Sequence, residues 1–259
     1  PIDLTGRTLR PIGGSDAAPF LGTFNGGGYA ISNLTIESDD SSVGLFAYVG
    51  ANGRVVNVKL ENVSVSASAS SNTGAIAGAC AGTIENCSVT GTVSGGSYTA
   101  GLVGRLHGGT VQNCLVDVTV TGKNGGGLIG GTNYGGPITT KNDKTGNMIL
   151  HNLVLGTVNG TTYTGAVVGD MGGSSGCPLQ TFTGNAINAS VTADTSNCIA
   201  GYWSGSRPIL DAGPVNYAVD TLTKEGISSS NTSAQNAFVF QPAAAFSQKA
   251  TYEALGWDF

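Results

Sequence analysis

The sequence predicts an all-β solenoid, a parallel β-helix with coils of about 25 residues and a short C-terminal helical cap. Three observations predict it. Residues 71–122 hold two copies of one sentence: Thr73-Gly-Ala-Ile-Ala-Gly78 with Ile84-Glu-Asn-Cys-Ser-Val89, then Thr99-Ala-Gly-Leu-Val-Gly104 with Val111-Gln-Asn-Cys-Leu-Val116. Gly78, Gly104 and Gly130 follow each other at intervals of 26 residues. That period is too short for a packed helix pair, which needs roughly 33 residues, and suits three short strands joined by bends.

Bulk composition agrees. Of 259 residues, 42 are glycine and 10% are charged, yet 40% are hydrophobic and recur in register, so the glycines read as corners of an ordered array. A net charge of −5 without a basic run argues against nucleic acid as a partner. No apolar stretch approaches the roughly 20 residues that span a bilayer, so no membrane insertion is expected. The abrupt start at Pro1 and end at Phe259 read as a piece of a larger protein or a mature chain.

Residues 1–19, with Ile2, Leu4, Leu9 and Ile12 among polar residues, predict an N-terminal edge strand and cap. Residues 20–220 hold the repeats. The phrase Ile31-Ser-Asn-Leu-Thr-Ile36 returns at Val55, Ile84, Val111 and Leu150, and more weakly at Ala186 and Pro214. Its third place is Asn33, Asn57, Asn86, Asn113, Asn152, Asn188 and Asn216. The spacings are 24, 29, 27, 39, 36 and 28, the long gaps holding insertions at 131–147 and 170–185. The phrase is the expected second strand, Val43-Gly-Leu-Phe46 and its kin the first, and Val63-Ser-Val65 or Val118-Thr-Val120 the third.

Stacked carboxamides donate to one coil and accept from the next, so the seven asparagines are expected to form one ladder. If that ladder is buried, the Asn-x-Ser/Thr sites at Asn33, Asn86 and Asn188 go unused. Cys87 and Cys114 fall in one column with Leu34 and Val58 as small apolar residues. Cys177 and Cys198 flank an insertion and are the candidate disulfide, which leaves Cys80, in a turn, as the exposed thiol. Residues 221–234 read as a polar loop. Residues 242–255, opened by Pro242 and closed by Gly256, read as one capping helix with Trp257 in the cap.

Val43-Gly-Leu-Phe46, the stretch Gly78 to Val89, Ala100-Gly-Leu-Val-Gly104, Phe20 to Tyr29 and Leu255-Gly-Trp-Asp-Phe259 resemble the GLUG motif repeat. Such repeats occur in bacterial surface and secreted proteins, among them adhesins and the non-catalytic regions of IgA-specific zinc metalloendopeptidases. The resemblance implies a right-handed parallel β-helix, located extracellularly or on a bacterial cell surface, joined to other domains of the same polypeptide. It implies no activity.

Catalytic chemistry is sparse. The zinc peptidase needs His-Glu-x-x-His, whereas His107 and His151 stand 44 residues apart. Gly172-Gly-Ser-Ser-Gly176 has no histidine after it and reads as an insertion rather than a nucleophile elbow. A carbohydrate-active enzyme needs two carboxyls roughly 5–10 Å apart. Asp170, Asp194, Asp211 and Asp220 are the late-coil candidates, with Asp211 and Asp220 preferred. No metal or other cofactor is expected, since Asp39, Asp40 and Asp194 lie in no calcium-loop motif. Aromatic residues at insertions and corners, Tyr134, Tyr163, Tyr202 and Trp203, are the ligand-binding candidates, with core filling as the competing role of Trp203. The expected function is non-catalytic: adhesion to, or presentation of, a host or cell-surface glycan or protein. The alternatives are a glycoside hydrolase or polysaccharide lyase, and a spacer of a secreted peptidase.

Overall fold

The computed structural model describes residues 1–14, 17–67, 71–132, 146–172, 180–193, 199–204, 216–230 and 232–258. It is a parallel β-solenoid, and among the described residues every strand pairing runs parallel from one coil to the next. One coil comprises Tyr98–Ala100, Val103–Leu106, Thr110–Gln112 and Leu115–Gly122. Stacking these gives four sheets, here the first to fourth in chain order, of five, six, six and twelve strands among the described residues.

Four strands per coil, rather than the three expected, follow from two bends. The aliphatic run bends at Gly101-Leu102, which splits it between the first and second sheets. The asparagine phrase bends at Asn113-Cys114, which splits it between the third and fourth. Registers hold the predicted period: Ala77 pairs with Val103, and Val103 with Ile129. Inward residues then stack on their equivalents, as in Val55, Ile84, Val111, Ile149 and Phe182, all essentially inaccessible. Each such side chain contributes about 1.5–3 kcal/mol by leaving water.

The glycines at the 26-residue period sit where two backbones touch. A Cβ on Gly130 would lie 2.6 Å from the Thr99 nitrogen and 2.7 Å from the Gly104 oxygen and the Tyr98 carbonyl carbon, all main-chain atoms of the preceding coil. Gly78 and Gly104 meet main-chain atoms in the same way.

Six of the seven asparagines divide among three columns instead of one, and Asn188 joins none of them. Asn57, Asn86 and Asn113 occupy the corner between the third and fourth sheets at φ of 55°, 53° and 54°, followed by His151 at 52° and Gly184 at 69°. This left-handed corner is why asparagine recurs there: its short polar side chain tolerates positive φ better than other non-glycine residues. Asn57 donates to Asn25 Oδ1 at 3.1 Å and Asn86 to Asn57 Oδ1 at 3.4 Å.

Asn33 belongs instead with Asn62. Asn62 donates to Asn33 Oδ1 at 2.7 Å, and Asn33 donates to Asp3 Oδ1 at 2.9 Å. That amide is the main cause holding the Asp3 carboxyl below its ordinary pKa. Asn152 lies one place past the corner, in the column of Val58, Cys87 and Cys114, where it continues into Asn185 and Asn216. Asn152 donates to Asn185 Oδ1 at 2.9 Å and Asn185 to Asn216 Oδ1 at 2.7 Å, all three buried. Asn188 is outside this column, its N–H bonded to the Val154 carbonyl. Leu34 likewise leaves the expected cysteine column, because the Asn33–Asn62 register sets it opposite Val63.

Both ends continue the solenoid further than expected. Ile2–Asp3 and Thr8–Leu9 pair in register with Ala30–Ser32 and Thr35–Ser38, and Ile12 bridges Phe46. Residues 221–230 form a further rung rather than a free loop: Trp203 N–H donates to Gly226 O, and Ile227 bridges Trp203. Phe238–Gln241 adds a last strand to the fourth sheet. The capping segment is broken, with a 3-10 turn at Ala243–Ser247 and an α-turn at Lys249–Glu253 separated by extended Gln248, so that Phe246 and Leu255 both reach the core.

Two stability predictions follow. Gly130→Ala lowers stability by at least about 2 kcal/mol through backbone overlap, whereas Gly14→Ala, with nothing within 4 Å of its added Cβ, changes it by less than about 0.5 kcal/mol in urea unfolding. Asn185→Ala removes the acceptor of the buried Asn152 main-chain N–H, one of the two bonds made by the Asn152 side-chain amide, and the donor to the Ile149 carbonyl. It is expected to cost about 2–4 kcal/mol, against less than about 1 kcal/mol for Asn188→Ala by the same measurement.

Candidate functional site

The chain passes from the second sheet to the third through short links in the early coils, 50–53, 81–82 and 107–109. In two successive later coils the same corner carries residues 133–147 and 172–180, and after them residues 204–215 separate the second-sheet strand Ala200–Trp203 from the fourth-sheet strand Asn216–Val219. The insertions anticipated from the sequence are therefore rooted at one edge of the rod, although 133–145, 173–179 and 205–215 lie outside the described residues.

Beside those roots runs a surface row built from two adjoining columns. The second sheet contributes Arg105, Gly131, Asp170 and Tyr202 in register, and the first contributes Tyr98, Asn124 and Tyr163. Tyr98 lies over Gly131, whose missing Cβ makes room for the ring, and the Arg105 guanidinium sits 4.5 Å from the same ring's centroid. One coil pair further, Tyr163 stacks on Tyr202 with centroids 5.1 Å apart and planes 28° from parallel. Both tyrosines are 39% exposed. The Asp170 carboxylate accepts the Gly172 N–H at 2.8 Å, fixing the strand end from which an insertion departs. This row offers two open aromatic faces, two phenol hydroxyls and one carboxylate.

Trp203 is a correction. It is wholly buried, with Phe182 at 5.5 Å and Phe238 at 6.3 Å in edge-on contact. Successive residues of a strand face opposite ways, so Tyr202 points outward and Trp203 fills the core. Asp220 is exposed at the end of Asn216–Val219, its N–H donating to the Gln241 carbonyl at 2.9 Å. Tyr134, Asp194, Asp211, Cys177 and Cys198 lie outside the described residues. Among the described residues no cluster of three His, Cys, Asp or Glu could hold a metal, and no helix is long and apolar enough to cross a membrane.

His151 occupies the left-handed corner, half-buried beside Gly184, and one further expectation changes. Cys80 is fully buried in Ala77–Cys80 rather than exposed in a turn, and burial pushes its thiol up to about 12. Cys87 and Cys114 are buried neighbours in successive coils. Burial raises the Cys114 thiol well above its ordinary value, whereas the Cys87 thiol is lowered by its hydrogen bond to Cys114.

Over 100 residues, 38% of the chain, the sequence is 43% identical to Halomucin of Haloquadratum walsbyi (strain DSM 16790 / HBSQ001). The matched stretch spans 1% of that relative's length. No family model matches the chain, and no solved structure does.

A thiol that titrates near 12 stays protonated at pH 8 and becomes reactive only as pH rises toward that value. Cys80 should therefore resist a maleimide reagent at pH 8 in native protein, Cys87 and Cys114 should resist it because both are buried, and all three should label fully in denaturant, read residue by residue by peptide mass spectrometry.

Proposed function

We propose that the chain is a non-catalytic β-solenoid module of a cell-surface or secreted protein, and that its insertion-bearing edge binds a glycan. The Tyr163–Tyr202 stack carries this reading: two large rings held open to solvent beside the strand ends from which the insertions depart. Aromatic rings left exposed on a rigid scaffold are costly to hydrate and suit the apolar face of a sugar ring, with hydroxyls and a carboxylate alongside for its edge. Coil-on-coil pairing supplies the rigidity, so little ordering entropy is lost on binding. The stretch of similarity to Halomucin supports a surface location, and the repeat resemblance supports a module within a longer polypeptide.

Binding to a printed glycan array tests the reading. Tyr202→Ala and Tyr163→Ala should each weaken the strongest signal by roughly thirtyfold, the cost of about 2 kcal/mol for truncating an anchoring aromatic. Unchanged binding in both variants would refute this assignment. Release of sugar from the bound glycan, abolished in Asp220→Asn, would replace it with a catalytic one.

A further inference from the structure

A second polar face exists on a different side of the rod, where the C-terminal tail crosses the asparagine corner. Trp257 donates its indole N–H to the Gly184 carbonyl at 2.8 Å and packs 5.3 Å from Tyr252, which pins the tail against the third and fourth sheets. Between tail and corner lies a groove of about 440 Å³ lined by Asn86, Asn113, His151, Leu115, Leu153, Trp257 and Asp258. Small-ligand sites typically measure about 300–1,000 Å³.

The amide ladder ends in this groove. Asn57 bonds to Asn25 and Asn86 to Asn57, but among the described residues no hydrogen bond uses the Asn113 carboxamide or the Asn86 Oδ1. Both residues are exposed, and their left-handed backbones sit on paired strands that hold their Cα atoms about 4.8 Å apart. The groove thus presents unused donors and acceptors at fixed spacing, with the indole and two leucines on its apolar side. Asp258 is its acidic member, and no lysine or arginine lines it. That electrostatic balance disfavours phosphate, sulfate or carboxylate ligands.

We infer that this groove is a second ligand site, for a neutral saccharide whose hydroxyls bond to the Asn86 and Asn113 carboxamides and to Asp258, and whose C–H face rests on Trp257. Each carboxamide offers a donor and an acceptor together, which matches a pair of neighbouring sugar hydroxyls. The site uses the corner column, not the tyrosine row, and its occupancy is independent of Tyr202.

The test is a titration of the ¹⁵N-labelled full chain with maltose, cellobiose and lactose in turn. At least one disaccharide should shift the side-chain amide signals of Asn86 and Asn113 and the Trp257 indole signal saturably. Asn113→Gly keeps the left-handed corner while removing the carboxamide, and should weaken that binding by about tenfold, the scale of one lost hydrogen bond in a binding site. Trp257→Ala should weaken it at least as much, and Tyr202→Ala should leave it unchanged. If Trp257→Ala perturbs folding, Asn113→Gly alone decides. Absence of shifts with all three sugars, undiminished binding in Asn113→Gly, or loss in Tyr202→Ala would each overturn the inference.

Discussion

Every coil hands its backbone N–H and C=O groups to the coils on either side, and the remaining features follow from that obligation. A chain that returns to the same place, after 26 or 27 residues in its middle coils and more where a coil is lengthened, must turn the same corners each time. At one corner the cheapest solution is left-handed φ, which selects asparagine, then histidine, then glycine. At another, two main chains approach so closely that only glycine fits. The aliphatic stacks between corners exclude water, but it is the backbone register that decides which side chains meet.

The amide columns show how position changes the value of one residue type. On the outer corner, Asn57 and Asn86 each donate one hydrogen bond in contact with solvent, and their conformational tolerance matters more than their bonding. One place later, the column changes from Val58 and two cysteines to Asn152, Asn185 and Asn216. There each amide is sealed from water and fully engaged with amides and carbonyls, as burial of a polar group demands. This run ends at the Ala237 carbonyl, beside the last strand of the rod.

The fold was legible because its cause is periodic: glycine and the aliphatic run at fixed spacing require stacked coils. What escaped was register after the insertion at 133–145. His151-Asn152 places an asparagine one residue late, and a pattern of apolar, polar and asparagine matches equally well one step out of phase, which sends the asparagine from the corner into the core. Asn188 also matched the phrase, but it lies three residues past Asn185, away from both the corner and the buried amide column. The site was only half legible. Sequence marks Tyr202 and Trp203 alike as aromatic residues near an insertion, and only the direction of alternation, set by pairing with Asp170 and Met171, separates the surface ring from the core ring. The groove under Trp257 brings residues 86, 113 and 151 against 257, contacts that no local pattern contains.

Both proposed binding faces depend on the same register, since the tyrosine stack and the open end of the amide ladder each join neighbouring coils. The decisive measurement is therefore a cross-link across it. Thr92 and Thr119 are exposed and directly opposed on adjacent parallel strands, whereas Asp117 lies two residues away along the same strand. Strand spacing of about 4.8 Å falls inside the disulfide range of about 4.4–6.8 Å, and a two-residue offset falls outside it. Mild oxidation of the Thr92→Cys/Thr119→Cys variant should form the 92–119 disulfide with native stability retained, and Thr92→Cys/Asp117→Cys should not close. Closure of the second pair in preference to the first would contradict the coil register on which the whole account stands.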